Sequence, residues 1–228
     1  MNGAVRRDAT PERRGSLRAA LAMIVLAVLA WSAIRPHDRF TWLLEVAPVV
    51  IGLPLLVATR RRFPLTPLAY VLLALHAIVL MVGGKYTYAE VPLGFRLQEI
   101  FGFARNHYDR IGHLAQGFIP AIVVREVLVR RSPLRGSRWL PFVVVAFCLA
   151  FSACYELIEF GTALATGEGA EAFLGTQGDI WDTQWDMLMA LIGAGAALTL
   201  LSRAHDRQLQ RLAAESNPAP STTYGGAA

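Results

Sequence analysis

The sequence predicts an all-α membrane protein, a bundle of about six transmembrane helices with both termini in the cytoplasm. Three observations carry that prediction. Of the 228 residues, 54% are hydrophobic and only 17% charged, and the mean hydropathy of +0.41 is too high for an ordinary soluble domain. The apolar residues gather into six blocks, several approaching the roughly 18–20 residues that cross about 30 Å of hydrocarbon. The Arg residues, which give a formal charge of +5, sit at the ends of those blocks. That placement orients helices in a bilayer and excludes nucleic acid as a partner.

The blocks cover residues 17–34, 41–58, 67–84, 109–129, 139–160 and 183–202. Arg6, Arg7, Arg13 and Arg14 precede the first and imitate a signal peptide. Ala30-Trp31-Ser32-Ala33 is a poor cleavage site and more spans follow, so the first block reads as an uncleaved signal-anchor. The second block carries Pro48 and Pro54 and the third begins at Pro67, residues a spanning helix tolerates when neighbours satisfy the backbone. In the 85–108 segment, Leu93–Phe103 mixes apolar residues with Arg96, Gln98 and Glu99. A short interfacial helix or a packed loop fits there.

Charge alternates along the connections. Arg60, Arg61 and Arg62 follow the second block, Arg130, Arg131, Arg135 and Arg138 the fourth, and Arg203, Arg207 and Arg211 the sixth. With the N-terminus inside, all of these fall on one side. The last connection on the other side, residues 161–182, holds no Lys or Arg and carries Glu168, Glu171, Asp179 and Asp182. This is the positive-inside pattern. It divides the chain into a basic cytoplasmic N-terminus (1–16), a six-helix membrane domain (17–202) and a cytoplasmic, largely disordered tail (203–228).

Ionisable residues inside a membrane are costly and mark function by default. In the fourth block Asp109, His113 and Gln116 share one helical stripe, as do Ser152, Glu156 and Glu159 in the fifth, with Tyr155 alongside. At the start of the sixth, Asp179, Asp182 and Asp186 follow one another at i, i+3 and i+7. The fourth helix runs inward from the outer face, the fifth outward and the sixth inward again. At 1.5 Å per residue, His113 and Asp186 each lie about 6 Å below Asp109 and Asp182. His113, Glu156 and Asp186 are thus expected at one level.

Five carboxylates so close together do not all remain ionised without a cation or raised pKa values. His113, Glu156, Glu159, Asp182 and Asp186 are the candidate ligands of a divalent cation. Oxygen-rich ligation with one His suits Mg²⁺, Mn²⁺ or Zn²⁺. His113, Asp109 and Glu156 are the candidate catalytic residues, with Gln116, Tyr155 and Arg110 positioning a ligand. A network that merely holds the bundle together is the competing reading.

Other polar residues are assigned to structure. His76 reads as a core histidine bonded to a neighbouring helix, Arg125 and Glu126 as residues that snorkel or pair near the inner end of the fourth helix, and Cys148 and Cys154 as small buried hydrophobes. Gly193, with Ala190, Ala194 and Ala197, reads as a close-packing helix face. Lys85, Tyr86 and Tyr88 form either a lid over the acidic cluster or part of an interfacial aromatic belt.

The stretches KYTYAEVP, HYDRIGHLAQGF, YELIEF and GDIWDTQWDM resemble the YjdF-like bacterial inner-membrane proteins, which carry a domain of unknown function. The resemblance spans roughly residues 40–200. The order D-x3-H, E-x2-E, D-x3-D is also similar, more loosely, to the VanZ-like membrane proteins associated with glycopeptide resistance, which more often carry a different polar residue where Glu159 stands. Either resemblance implies an all-helical inner-membrane protein and supplies no reaction. Three functions compete: a site near the extracytoplasmic face that binds or processes an envelope or lipid-linked molecule, a proton-coupled transporter, and a non-catalytic membrane scaffold or subunit. The absence of a visible inverted repeat counts against the transporter.

Overall fold

The computed structural model describes residues 11–166 and 176–216. The predicted tail from 217 onward and Glu168 and Glu171 lie outside them. The described residues form helices and turns, with no strand. The helices are α1 (Pro11–Ala33), α2 (Arg39–Thr59), α3 (Pro67–Tyr86), α4 (Pro92–Phe101), α5 (Tyr108–Arg131), α6 (Trp139–Thr166) and α7 (Asp182–Ser216), with a 3-10 turn at Tyr88–Glu90. All but α4 are long and apolar enough to cross a membrane.

Local signals explain the helix boundaries. Asp38 caps α2 by accepting the Thr41 N–H at 2.6 Å, which holds its carboxyl below the usual range. Thr66 caps α3, with Pro67 in the first turn. Gly102 ends α4 in the left-handed region, φ 66°. The predicted blocks are shorter than their helices at both ends of the chain. α1 begins at Pro11, and α7 continues to Ser216, because amphipathic turns extend helices that the apolar window alone would end. Residues 203–216 therefore continue α7. The 85–108 segment contains the helix α4, and no simple packed loop.

The centre of the bundle is α5, which packs against α3, α6 and α7, while α3 carries α1 and α2 on its other side. Two small residues let α5 and α7 approach closely. A Cβ on Gly117 would lie 1.9 Å from the Ala190 carbonyl oxygen, and one on Gly193 would lie 2.1 Å from that of Leu114. Close backbone approach is the usual means by which membrane helices gain packing energy, since hydrocarbon offers no hydrophobic drive between them. The main core joins Leu72, Ile119, Ile122, Leu140, Val144 and Ala194. Large side chains such as Ile51, Leu55, Phe142, Leu164 and Leu200 are exposed, the pattern of helices bathed in lipid. Cys148 is buried, but Cys154 is exposed, on the outward side of α6.

Candidate functional site

At the end of the bundle where α5 and α7 begin, α5, α6 and α7 bring their acidic stripes together. Asp109, His113, Gln116, Ser152, Glu156, Glu159, Asp182 and Asp186 are all buried. His113 is the hub. Its Nε2 lies 3.3 Å from Glu156 Oε1 and 3.7 Å from Asp109 Oδ1, and its Nδ1 lies 3.5 Å from Ser152 Oγ. Ligating atoms of Asp109, His113 and Asp186 fall within 4.8 Å of one another, and so do those of His113, Glu156 and Glu159. The two triads share His113. Atoms at such spacings reach a common ion at first-shell distances of about 2–2.6 Å.

Three buried acceptors here, Gln116 Oε1, Glu156 Oε1 and Asp186 Oδ1, have no hydrogen-bond partner among the described residues. The close Glu156–His113 approach is not aligned as a hydrogen bond. Buried polar atoms are normally satisfied, and an orphan costs roughly 1–3 kcal/mol. Three such acceptors lie together here, on α5, α6 and α7. Beside them lies a cavity of about 20 Å³, lined among others by Glu45, Asp109, His113, Gln116 and Glu159. That is room for a single water or a bare ion, given a minimum of about 10–15 Å³.

The structure adds one residue, Glu45, to the predicted set and decides between lid and belt for another, Tyr88. Glu45, on α2, is buried and accepts the Tyr155 hydroxyl at 3.3 Å. Its signal was present in the sequence, a lone carboxylate inside an apolar block, but no stripe of polar neighbours drew attention to it. Tyr88 forms a wall. Its ring is wedged between Gly83 of α3 and Gly112 of α5, where Cβ atoms would come within 2.3 and 2.8 Å of it. Thr87 places it there by adopting φ 60°, ψ 145°, a conformation that a β-branched residue holds only under constraint. Burial, and then the Glu45 carboxylate, push the Tyr88 phenol well above its ordinary pKa. Tyr88 thus covers the cluster from α3, whereas Lys85 and Tyr86 turn away. Lys85 donates to the carbonyls of Trp31 and Ile34 at the end of α1, and Tyr86 packs on Trp31.

Two predicted participants stand aside from the triads. Arg110, expected to position a ligand, pairs with Asp179 at 2.6 Å and lies over the Trp185 ring. Asp182 is held by Arg105, which also donates to the Thr176 carbonyl. Both guanidiniums anchor the start of α7, because carboxylates and a free carbonyl at the rim offer them better geometry than the crowded interior. The Trp181 N–H keeps the Asp179 carboxyl below its ordinary pKa. The predicted hydrogen bond of His76 is absent, for its Nε2 is buried without a partner among the described residues.

The opposite end of the bundle holds a second polar network, in which Arg125 and Glu126 are both paired, each with residues other than the other. Glu126 accepts from Thr66 Oγ1 at 2.7 Å and from Arg130 at 2.7 Å, and meets His205 Nε2 at 3.1 Å. Arg125 pairs with Asp206 at 2.7 Å and contacts His205 Nδ1. Every polar atom of Glu126 is engaged, which makes this network a fastening of α3, α5 and α7. The contrast is chemical: satisfied groups at one end, orphaned acceptors at the other.

Six apolar helices around a buried carboxylate–histidine cluster define a multi-pass membrane protein. The chain belongs to the family described as "Predicted membrane protein (DUF2238)", which matches residues 17–207. It is 55% identical over 190 residues to "Inner membrane protein YjdF" of Escherichia coli (strain K12), covering 83% of this chain and 91% of that protein. No solved structure matches it.

Proposed function

We propose that the cluster around His113 binds a divalent cation and, through it, an envelope or lipid-linked molecule near the extracytoplasmic face of the inner membrane. The observation that carries this reading is the convergence of orphaned buried acceptors on two overlapping triads. A network built only to hold helices together satisfies its own members, as the Glu126 network does. Here Asp109, Glu156, Glu159 and Asp186 supply oxygen ligands to a hard or borderline cation, and His113 supplies nitrogen. Gln116 and Tyr155 flank the bound molecule. If the molecule is also processed, His113 and the carboxylates beside it are the groups placed to move a proton.

Binding of a cation to the folded state raises stability, by about 2.7 kcal/mol at a hundredfold excess over Kd. The thermal stability of the full chain in detergent, titrated with Mg²⁺, Mn²⁺, Zn²⁺ and Ca²⁺, tests this. Wild type gains stability with at least one of them, and Asp186→Asn, which keeps size but loses charge, does not. Equal responses from the two proteins, or none from wild type, would overturn the cation site.

A further inference from the structure

A second and larger cavity adjoins the cluster. Its volume is about 300 Å³, at the lower end of the roughly 300–1,000 Å³ typical of small-molecule sites. It is a cleft between α2 and α6, floored by α3 and bordered by α1, with walls that include Val25, Val49, Leu53, Ala77 and Phe151 and with Arg18 and Arg60 also in its lining. α2 packs on α3, while α6 packs on α5 and α7. α2 and α6 share no packed face, and Tyr155 bridges them to Glu45 at the cluster end. The lip of the cleft faces outward, since Val57 is 48% exposed and Phe151 41%. Gly52 also lines it, and a Cβ built there meets nothing within 4 Å.

Three features identify what fills this space. Along α2 the lining runs from Pro48 to Arg60, about 18 Å at a rise of about 1.5 Å per residue. That is longer than half of the roughly 30 Å hydrocarbon layer, the dimension of an extended chain. Leu80, Gln116 and Tyr155 line both this cleft and the small cavity among the carboxylates, so a chain in the cleft can carry a polar group into the cluster. On the α3 floor of the cleft, one turn from Leu80, His76 keeps its orphaned Nε2, a partner for a carbonyl or hydroxyl where such a chain meets its head. An apolar gap open to a bilayer takes up hydrocarbon, because lining atoms without neighbours forfeit their dispersion contacts.

We propose that the α2–α6 cleft is the tail site of a bilayer lipid, one hydrocarbon chain entering laterally between these helices with its polar head at the His113 cluster. The inference rests on the reading of the cluster as a binding site, and it names the ligand as a lipid in place of a water-soluble envelope molecule. The test uses the full chain in lipid discs containing phosphatidylglycerol with a diazirine on one acyl chain. After irradiation, labelled residues are mapped by mass spectrometry.

Leu53, Ala77 and Phe151 are expected to label above the outward-facing Leu55 and Leu75. Gly52→Trp, which obstructs the cleft, is expected to reduce labelling of the cleft about tenfold while the outward residues label as before. Gly52→Leu provides a smaller obstruction if the indole prevents folding, and removing a helical Gly favours the helix. Cleft labelling no higher than on the outward faces, labelling indifferent to either substitution, or cross-links from the cleft to a second copy of the chain would each overturn the tail site. The cluster reading fails separately. Gly52→Trp leaves the cation response intact if that reading holds, and a wild type with no cation response sinks it whatever the lipid does.

Discussion

Glu45 changes the character of the cluster. It brings a fourth spanning helix to a site otherwise built by α5, α6 and α7, and its link to Tyr155 joins the two halves of the bundle at the carboxylates. A group that orients another ligand without supplying the main charge typically costs about 10–100-fold in metal affinity when altered. Glu45→Gln keeps an oxygen for the Tyr155 hydroxyl and removes the charge. It is expected to shift the midpoint of the cation-induced stabilisation at least about tenfold to higher concentration and to leave the cation-free protein folded. An unchanged midpoint would reduce Glu45 to a tether for Tyr155.

At the scale of the helix, the site depends on the separation of α5 and α7. Asp109 and His113 on one and Asp186 on the other come within 4.8 Å because Gly117 and Gly193 let the backbones touch a turn or two further in. Gly117→Val sets a branched side chain against the Ala190 carbonyl, and overpacking of this kind costs about 1–3 kcal/mol. The expected result is a lower melting temperature together with loss of the cation response, since the triad opens as the helices part. Gly195→Ala is the control. A Cβ there meets nothing within 4 Å, so stability is expected to hold or rise slightly. A Gly117→Val protein that melts and responds as wild type would disconnect helix packing from the site.

For the molecule as a whole, the two polar networks occupy opposite ends of the bundle, and the distribution of Arg assigns those ends to opposite sides of the membrane. The fastened Glu126 network lies near Arg130 and Arg131, the cluster near the connection before α7. The positive-inside pattern predicts both termini in the cytoplasm and the cluster toward the periplasm. A reporter active only in the periplasm should be silent when fused after Arg211 and active when inserted at Gly169. The reverse pattern would invert the topology and move the cluster to the cytoplasmic face, where an envelope molecule could not reach it.

The sequence by itself determined the class of protein, the number of spans and the three acidic stripes, because all of these are local. Hydrophobic blocks report on length, and a helix of 3.6 residues per turn converts the spacing of Asp109, His113 and Gln116 directly into a shared face. Even the close face of α7 was legible, since small residues at helical spacing carry their own meaning in lipid. Only the tertiary structure decided which polar groups join the cluster and which are drawn off it. Arg110 and Asp182 lie on the right helices at the right depth, yet rim partners claim them, a competition settled by distances between helices. Glu45 and Tyr88 enter from α2 and the turn after α3, far away in sequence, and the α2–α6 cleft exists only because two helices fail to pack. Periodicity shows where a side chain points along its own helix. What stands opposite it is fixed by long-range packing, which no local window contains.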